Sequence, residues 1–104
     1  MIKVSFLYPY RKDGRFDTRY YCTQHMPLVA RLLGDALRNY AVEICLYEGR
    51  PEPPPPYVAV GHMLFDSREA FETAMQPHAQ TLIDDVSHFT DGGRGMREIT
   101  EIAL

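Results

Sequence analysis

Four histidines are the side chains of this sequence best suited to proton chemistry, and His25 has the most telling neighbours. Placed at 100° per residue, it shares one helical stripe with Tyr21, Leu28, Val29, Leu32 and Leu33, where an amphipathic helix ordinarily carries leucine. An imidazole on a buried stripe needs a hydrogen-bond partner for at least one nitrogen. It also titrates near neutral pH, so it takes or gives a proton at low cost. Two readings stand side by side. One is a general acid/base at the mouth of a pocket between this helix and a sheet; the other is a hydrogen-bonded core histidine that secures a kink at Pro27. Tyr21 lies one turn earlier, close enough to touch the ring and to orient it or a substrate oxygen. Tyr20 points about a quarter-turn away, towards the rim.

His62 is the second candidate. It shares a strand face with Val58, Val60 and Leu64, and Gly61 beside it leaves the neighbouring backbone open to a ligand or another chain. Its structural alternative is a histidine bonded across the sheet or a dimer seam. His78 lies on the inner side of a second helix, next to Pro77, and His88 and Phe89 fall in a loop that can line an opening. Leu28 and Met63 join Tyr20, His78 and Phe89 as candidate substrate contacts, with His25, His62 and Tyr21 as the candidate catalytic set. No HxH or HExxH spacing occurs, so no metal site is expected. Cys22 is out of phase with the pocket stripe, which argues against a Cys–His nucleophile pair. No GxGxxG follows a strand, and Gly92-Gly93-Arg94-Gly95 opens no helix that would hold a phosphate, so no cofactor is expected.

The elements that must position these residues read clearly. Ile2 to Pro9 alternates apolar and polar as a strand does. Asp17 is placed to cap a helix running to about Leu33, with Gly34 as its stop. Pro27 lies inside that helix and predicts a kink near Thr23. Tyr40 to Glu48 predicts a second strand, Gly49 to Pro56 a stiff spacer with four consecutive prolines from Pro53, and Tyr57 to Phe65 a third strand. Asp66, with Glu69 three residues on, is the expected capping box of the second helical segment. There Phe71, Ala74, Met75, His78, Leu82 and Val86 share a face, and Pro77 predicts two short helices meeting near Gln76. Met96 to Leu104 predicts a fourth strand.

This β-α-β-β-α-β order predicts one ferredoxin-like α+β domain over residues 1–104: a four-stranded antiparallel sheet with both helices on one face. The crossovers are expected to place the first and third strands at the centre, parallel to each other. The third strand has no Asp, Glu, Lys or Arg, so both of its faces are suited to burial although helices cover only one. Apolar patches of that kind mark interfaces. A homodimer closed through the open sheet face is therefore expected, and the rival is a monomer with a ligand groove there.

Composition narrows the partners. The net charge is −3 and the basic residues are scattered, which argues against nucleic acid. No run of 18 apolar residues occurs, so no membrane span is expected. Two cysteines outside any CxxC pair, with no signal-peptide pattern at the N-terminus, suggest a cytoplasmic protein with reduced thiols.

Three stretches carry a likeness to a known family. Tyr20-Tyr21-Cys22-Thr23-Gln24-His25-Met26-Pro27-Leu28 resembles the first-helix signature of EthD-domain proteins, and Pro54 to Ser67 and His78 to Asp91 are similar to later segments of that family. The resemblance implies a dimeric α+β barrel. It also implies a role near ether degradation, near small decarboxylases and dehydratases of aromatic polyketides, or near cofactor-free monooxygenases and lactone isomerases. The functional expectation is a cofactor-free proton-transfer enzyme (lyase, decarboxylase or isomerase) acting on a small aromatic or carbonyl compound. The alternatives are a non-enzymatic ligand-binding or accessory protein and a cofactor-free monooxygenase.

Overall fold

The computed structural model describes residues 1–46 and 54–104. Strands β1 (Ile2–Pro9), β2 (Asn39–Ile44), β3 (Tyr57–Phe65) and β4 (Met96–Glu101) form one sheet in the order β2-β3-β1-β4. The β-α-β-β-α-β order and the central position of β1 and β3 are as the sequence suggests. The expected parallel pairing of β1 and β3 is not found: they are antiparallel, as are the other two pairs. The reason is topological. A crossover sends β2 in the same direction as β1, and the following β2–β3 connection reverses the chain. The predicted spacer, and the ends of the second strand at Tyr47 and Glu48, fall mainly outside the described residues.

The first helical run is α1 (Thr18–Tyr20), a π-turn (Tyr21–His25) and α2 (Met26–Leu33). Asp17 caps it, its side chain accepting from the Tyr20 amide 2.9 Å away. The kink expected near Thr23 takes the form of the π-turn. Pro27 has no N–H for the Thr23 carbonyl and would clash with it, so the chain widens there and the Met26 amide donates to the Tyr21 carbonyl, five residues back. The extra residue per turn lets His25 and Met26 both face inward. Gly34 ends α2 at φ 59°, a conformation that suits a residue without Cβ.

The second helical segment is α3 (Arg68–Met75), a 3-10 turn (Gln76–His78) and α4 (Ala79–Asp85), broken at Pro77 as predicted. Its cap is not Asp66. Ser67 accepts from the Ala70 amide, while Asp66 turns away to a two-pronged pairing with Arg38. A long-range guanidinium decides between two adjacent residues that both suit an N-cap.

Between the helices and the sheet lies one core. Val4 and Tyr8 of β1 and Met63 and Phe65 of β3 meet Val29, Leu33, Phe71 and Leu82 from the helices. Phe65 and Phe71 pack with ring centroids 5.1 Å apart and tilted 58°. Burial of each such ring contributes about 1.5–3 kcal/mol. On the other face, Val58, Val60, His62 and Leu64 of β3 are only half-buried, with Ser5 and Leu7 of β1 beside them in register.

Candidate active site

Two aromatic residues of the π-turn face the sheet. Tyr21 is almost fully buried and its hydroxyl lies over Gly61, where an added Cβ would come within 2.0 Å of the oxygen. The space that Gly61 opens is thus taken by Tyr21 from within the chain. His25 stacks on Tyr21, with ring centroids 5.5 Å apart and planes 15° apart, and leans on Phe89 at 4.7 Å. The aromatic bed leaves the imidazole little freedom to turn.

Asp85, the last residue of α4, holds one edge of that ring. Its Oδ2 accepts from His25 Nδ1 at 2.9 Å. Its Oδ1 accepts from the Tyr20 hydroxyl at 2.8 Å and from His88 Nδ1 at 2.9 Å. An ionised carboxylate can only accept, so this contact assigns the proton to Nδ1 and leaves the Nε2 lone pair unprotonated. Nε2 makes no hydrogen bond among the described residues, and no buried side-chain nitrogen or oxygen there lacks a partner, so Nε2 is not sealed off from solvent.

The electrostatics keep the ring neutral. Burial lowers the His25 pKa, and this outweighs the upward pull of Asp85. Burial also pushes the Asp85 carboxyl up, but the hydrogen bonds from His25, His88 and Tyr20 outweigh it and hold the group below its ordinary value. Burial raises Tyr8 to about 12 and raises Tyr21 further, so both hydroxyls stay protonated and neither serves as a base.

His25 and Tyr21 line a cavity of about 130 Å3 between helices and sheet. Its walls are mainly apolar, from Val29, Met63, Phe71, Leu82 and Val86, and Arg94 and Arg97 also line it. A closed apolar cavity of about 150 Å3 accommodates benzene, so one ring is the matching scale. No group of three or more His, Cys, Asp or Glu among the described residues is placed to hold a metal ion.

The sequence-predicted residues divide accordingly. His25, Tyr21 and Met63 meet at the cavity. Tyr20 braces Asp85, and Phe89 lies fully buried beneath the His25 ring. Leu28 and His78 are half-buried and line neither this cavity nor a second cleft that adjoins it at Tyr8 and Arg94. His62 is on the opposite face of the sheet from His25. There its Nδ1 pairs with Ser5 Oγ at 2.8 Å and its Nε2 with Glu43 Oε1 at 2.5 Å, so the two histidines do not converge within one chain.

Asp85, Arg94 and Arg97 are site residues that sequence reasoning missed. Asp85 had a signal: it follows Leu82 by three residues and so shares the inner face of the second helical segment. Arg97 had one too, alternating in phase with Ile99 on β4.

A four-stranded antiparallel sheet with its helices on one face, and a histidine–carboxylate pair beside an apolar cavity, define the class: a small ferredoxin-like α+β domain. The EthD domain model matches residues 13–93, and the chain belongs to the EthD family. It is similar over 99% of its length to an EthD-like protein of Ralstonia eutropha JMP134, with 38% identity, 92% of that chain covered and a TM-score of 0.91. An EthD family protein of Bacillus halodurans C-125 aligns over 98% of both chains at 20% identity and a TM-score of 0.73. HapK of Hahella chejuensis shares the fold at 12% identity, with 98% of this chain and 92% of that chain covered and a TM-score of 0.64. No curated protein matches the chain significantly.

Proposed function

We propose that this protein is a proton-transfer enzyme of the lyase, decarboxylase or isomerase type, needing no cofactor, with a small aromatic or carbonyl compound as substrate. The observation that carries the reading is Asp85 on Nδ1 of a neutral, cavity-lining His25. Nε2 removes a proton from an acidic carbon next to a carbonyl, and the electron pair left behind moves into the carbonyl as an enolate. The imidazolium so formed is stabilised by Asp85. It then returns the proton to another carbon or to a leaving group, and the ring is neutral again. Tyr21, held protonated, serves as a hydrogen-bond donor near the ring.

We further propose that the chain forms a homodimer through the open sheet face. Val58, Val60 and Leu64 give that face an apolar centre, and Ser5, His62 and Glu43 form a polar cluster on it. No described helix is long and apolar enough to cross a membrane. Both cysteines are free, which fits a reducing cytoplasm.

The test is proton exchange in D2O, followed by NMR over a panel of enolisable aryl ketones and β-keto acids. Wild type incorporates deuterium, and folded His25→Gln does not. Exchange in His25→Gln at the wild-type rate would overturn the assignment. Binding without exchange across the panel would favour an accessory protein instead.

A further inference from the structure

We propose that the cavity takes a small aromatic carboxylate, held by Arg94 and Arg97 with its ring against the apolar wall; this rests on the cavity being the site of proton transfer. Neither Asp nor Glu lines the cavity, although the chain carries a net charge of −3. Two guanidiniums do line it. Neither makes an ion pair among the described residues, whereas Arg11, Arg38 and Arg68 are paired with Asp91, Asp66 and Glu72.

Each arginine is placed by its strand. Arg97 alternates with Ile99 on the helix-facing side of β4, opposite Phe6 in the register, and its guanidinium carbon sits 5.7 Å from the centre of the Phe71 ring. The ring holds the cation at the cavity wall without neutralising it. Arg94 lines both this cavity and a second cleft of about 260 Å3 next to it, which Arg11 and Arg15 also line. Asp91 is the acidic group nearest that loop in sequence. It is already taken by the Arg11 side chain and by the Arg15 amide at 2.9 Å. Asp85, the carboxylate behind the cavity-lining His25, is likewise tied up, by His25, Tyr20 and His88. Arg94 and Arg97 thus keep their charge for a ligand, and a planar fork suits a carboxylate better than a point charge does. The apolar wall and the one-ring volume set the other half of the ligand.

Binding of 4-methylbenzoate and of its neutral isostere 4-methylbenzamide, followed by NMR shifts of the cavity methionines, tests this without any turnover. Wild type is expected to hold the benzoate at least about tenfold tighter than the amide, in line with a charge-assisted contact. In Arg94→Gln/Arg97→Gln the benzoate loses that advantage and the amide changes less than about twofold. Arg97→Lys retains part of the preference and controls for folding. Equal binding of both probes to wild type, or a preference that survives in the double variant, overturns the carboxylate assignment while leaving the cavity as a site. Binding of neither probe overturns the assignment and the cavity reading together.

Discussion

Asp85 Oδ2 sits 2.9 Å from His25 Nδ1 although sixty positions separate them in the chain. The last turn of α4 thereby sets the tautomer of a ring presented by the π-turn. Asp85→Asn replaces an acceptor-only carboxylate by an amide that can also donate, so a proton on Nδ1 is no longer required. The neutral ring is then free to carry its proton on Nε2, which ends its use as a base. Turnover is expected to fall roughly a hundredfold or more, with the unfolding midpoint changed far less. Steady-state kinetics on the substrate found in the exchange panel checks it, and an Asp85→Asn enzyme of near wild-type kcat would contradict it.

The pH dependence follows from the direction of the shifts. The ordinary His25 value is 6.5 and burial places the native value lower. Between the two, the unfolded chain binds more protons, so stability rises with pH. The contribution of His25 is complete above about 6.5 and is lost as pH falls to its native value. Asp85 adds a second acid loss, because its native value lies below 3.8: its contribution is complete above that figure and lost as pH falls through the native one. Denaturant unfolding across a pH series should show the His25 step in wild type and not in His25→Gln. The acid limb of kcat/KM should inflect below 6.5, and lower still in Asp85→Asn, since Asp85 is the group that pulls the ring upward.

Gly61 is occupied space. An alanine Cβ there would meet the Tyr21 oxygen at 2.0 Å and its ring carbon at 3.2 Å. Gly61→Ala must displace the ring on which His25 stacks, at a cost of about 1–3 kcal/mol. Adding Tyr21→Phe removes the closer clash and should recover part of that loss, read by chemical denaturation. A Gly61→Ala variant as stable as wild type would mean that the Tyr21 hydroxyl does not sit over Gly61.

The open face makes its own prediction. Val60 lies at its centre, paired with Leu7 on one side and Glu43 on the other. Sedimentation should find wild type dimeric at micromolar concentration and Val60→Asp monomeric, with unchanged circular dichroism. The size of the effect follows from burial at about 25 cal/mol per Å2. A monomeric wild type would remove the dimer.

The strands and the inner helical stripe were legible because alternation and 3.6-residue spacing are local properties. Asp17 was legible as a cap for the same reason. What was not legible depends on distant partners. Asp66 and Ser67 both suit an N-cap, and only Arg38, in another part of the chain, separates them. Pro27 signals a disturbed helix, but whether the backbone bends or widens depends on what Tyr21, His25 and Met26 must all bury. His25 stands out in the sequence as a polar residue on an apolar stripe. Its partner Asp85 reads locally as one of two acidic residues at a helix end, and takes its meaning from a ring sixty residues earlier. His62 stands out in its strand as well, but which sheet face it occupies relative to His25 emerges only once strand and helix are packed.

The most direct measurement is the nitrogen NMR spectrum of the His25 ring at pH 7, with and without 4-methylbenzoate. A proton on Nδ1, a bare Nε2, and an Nε2 resonance that moves when the probe enters are the predicted results. A ring protonated on Nε2 at that pH, or an Nε2 indifferent to the probe, would contradict the account.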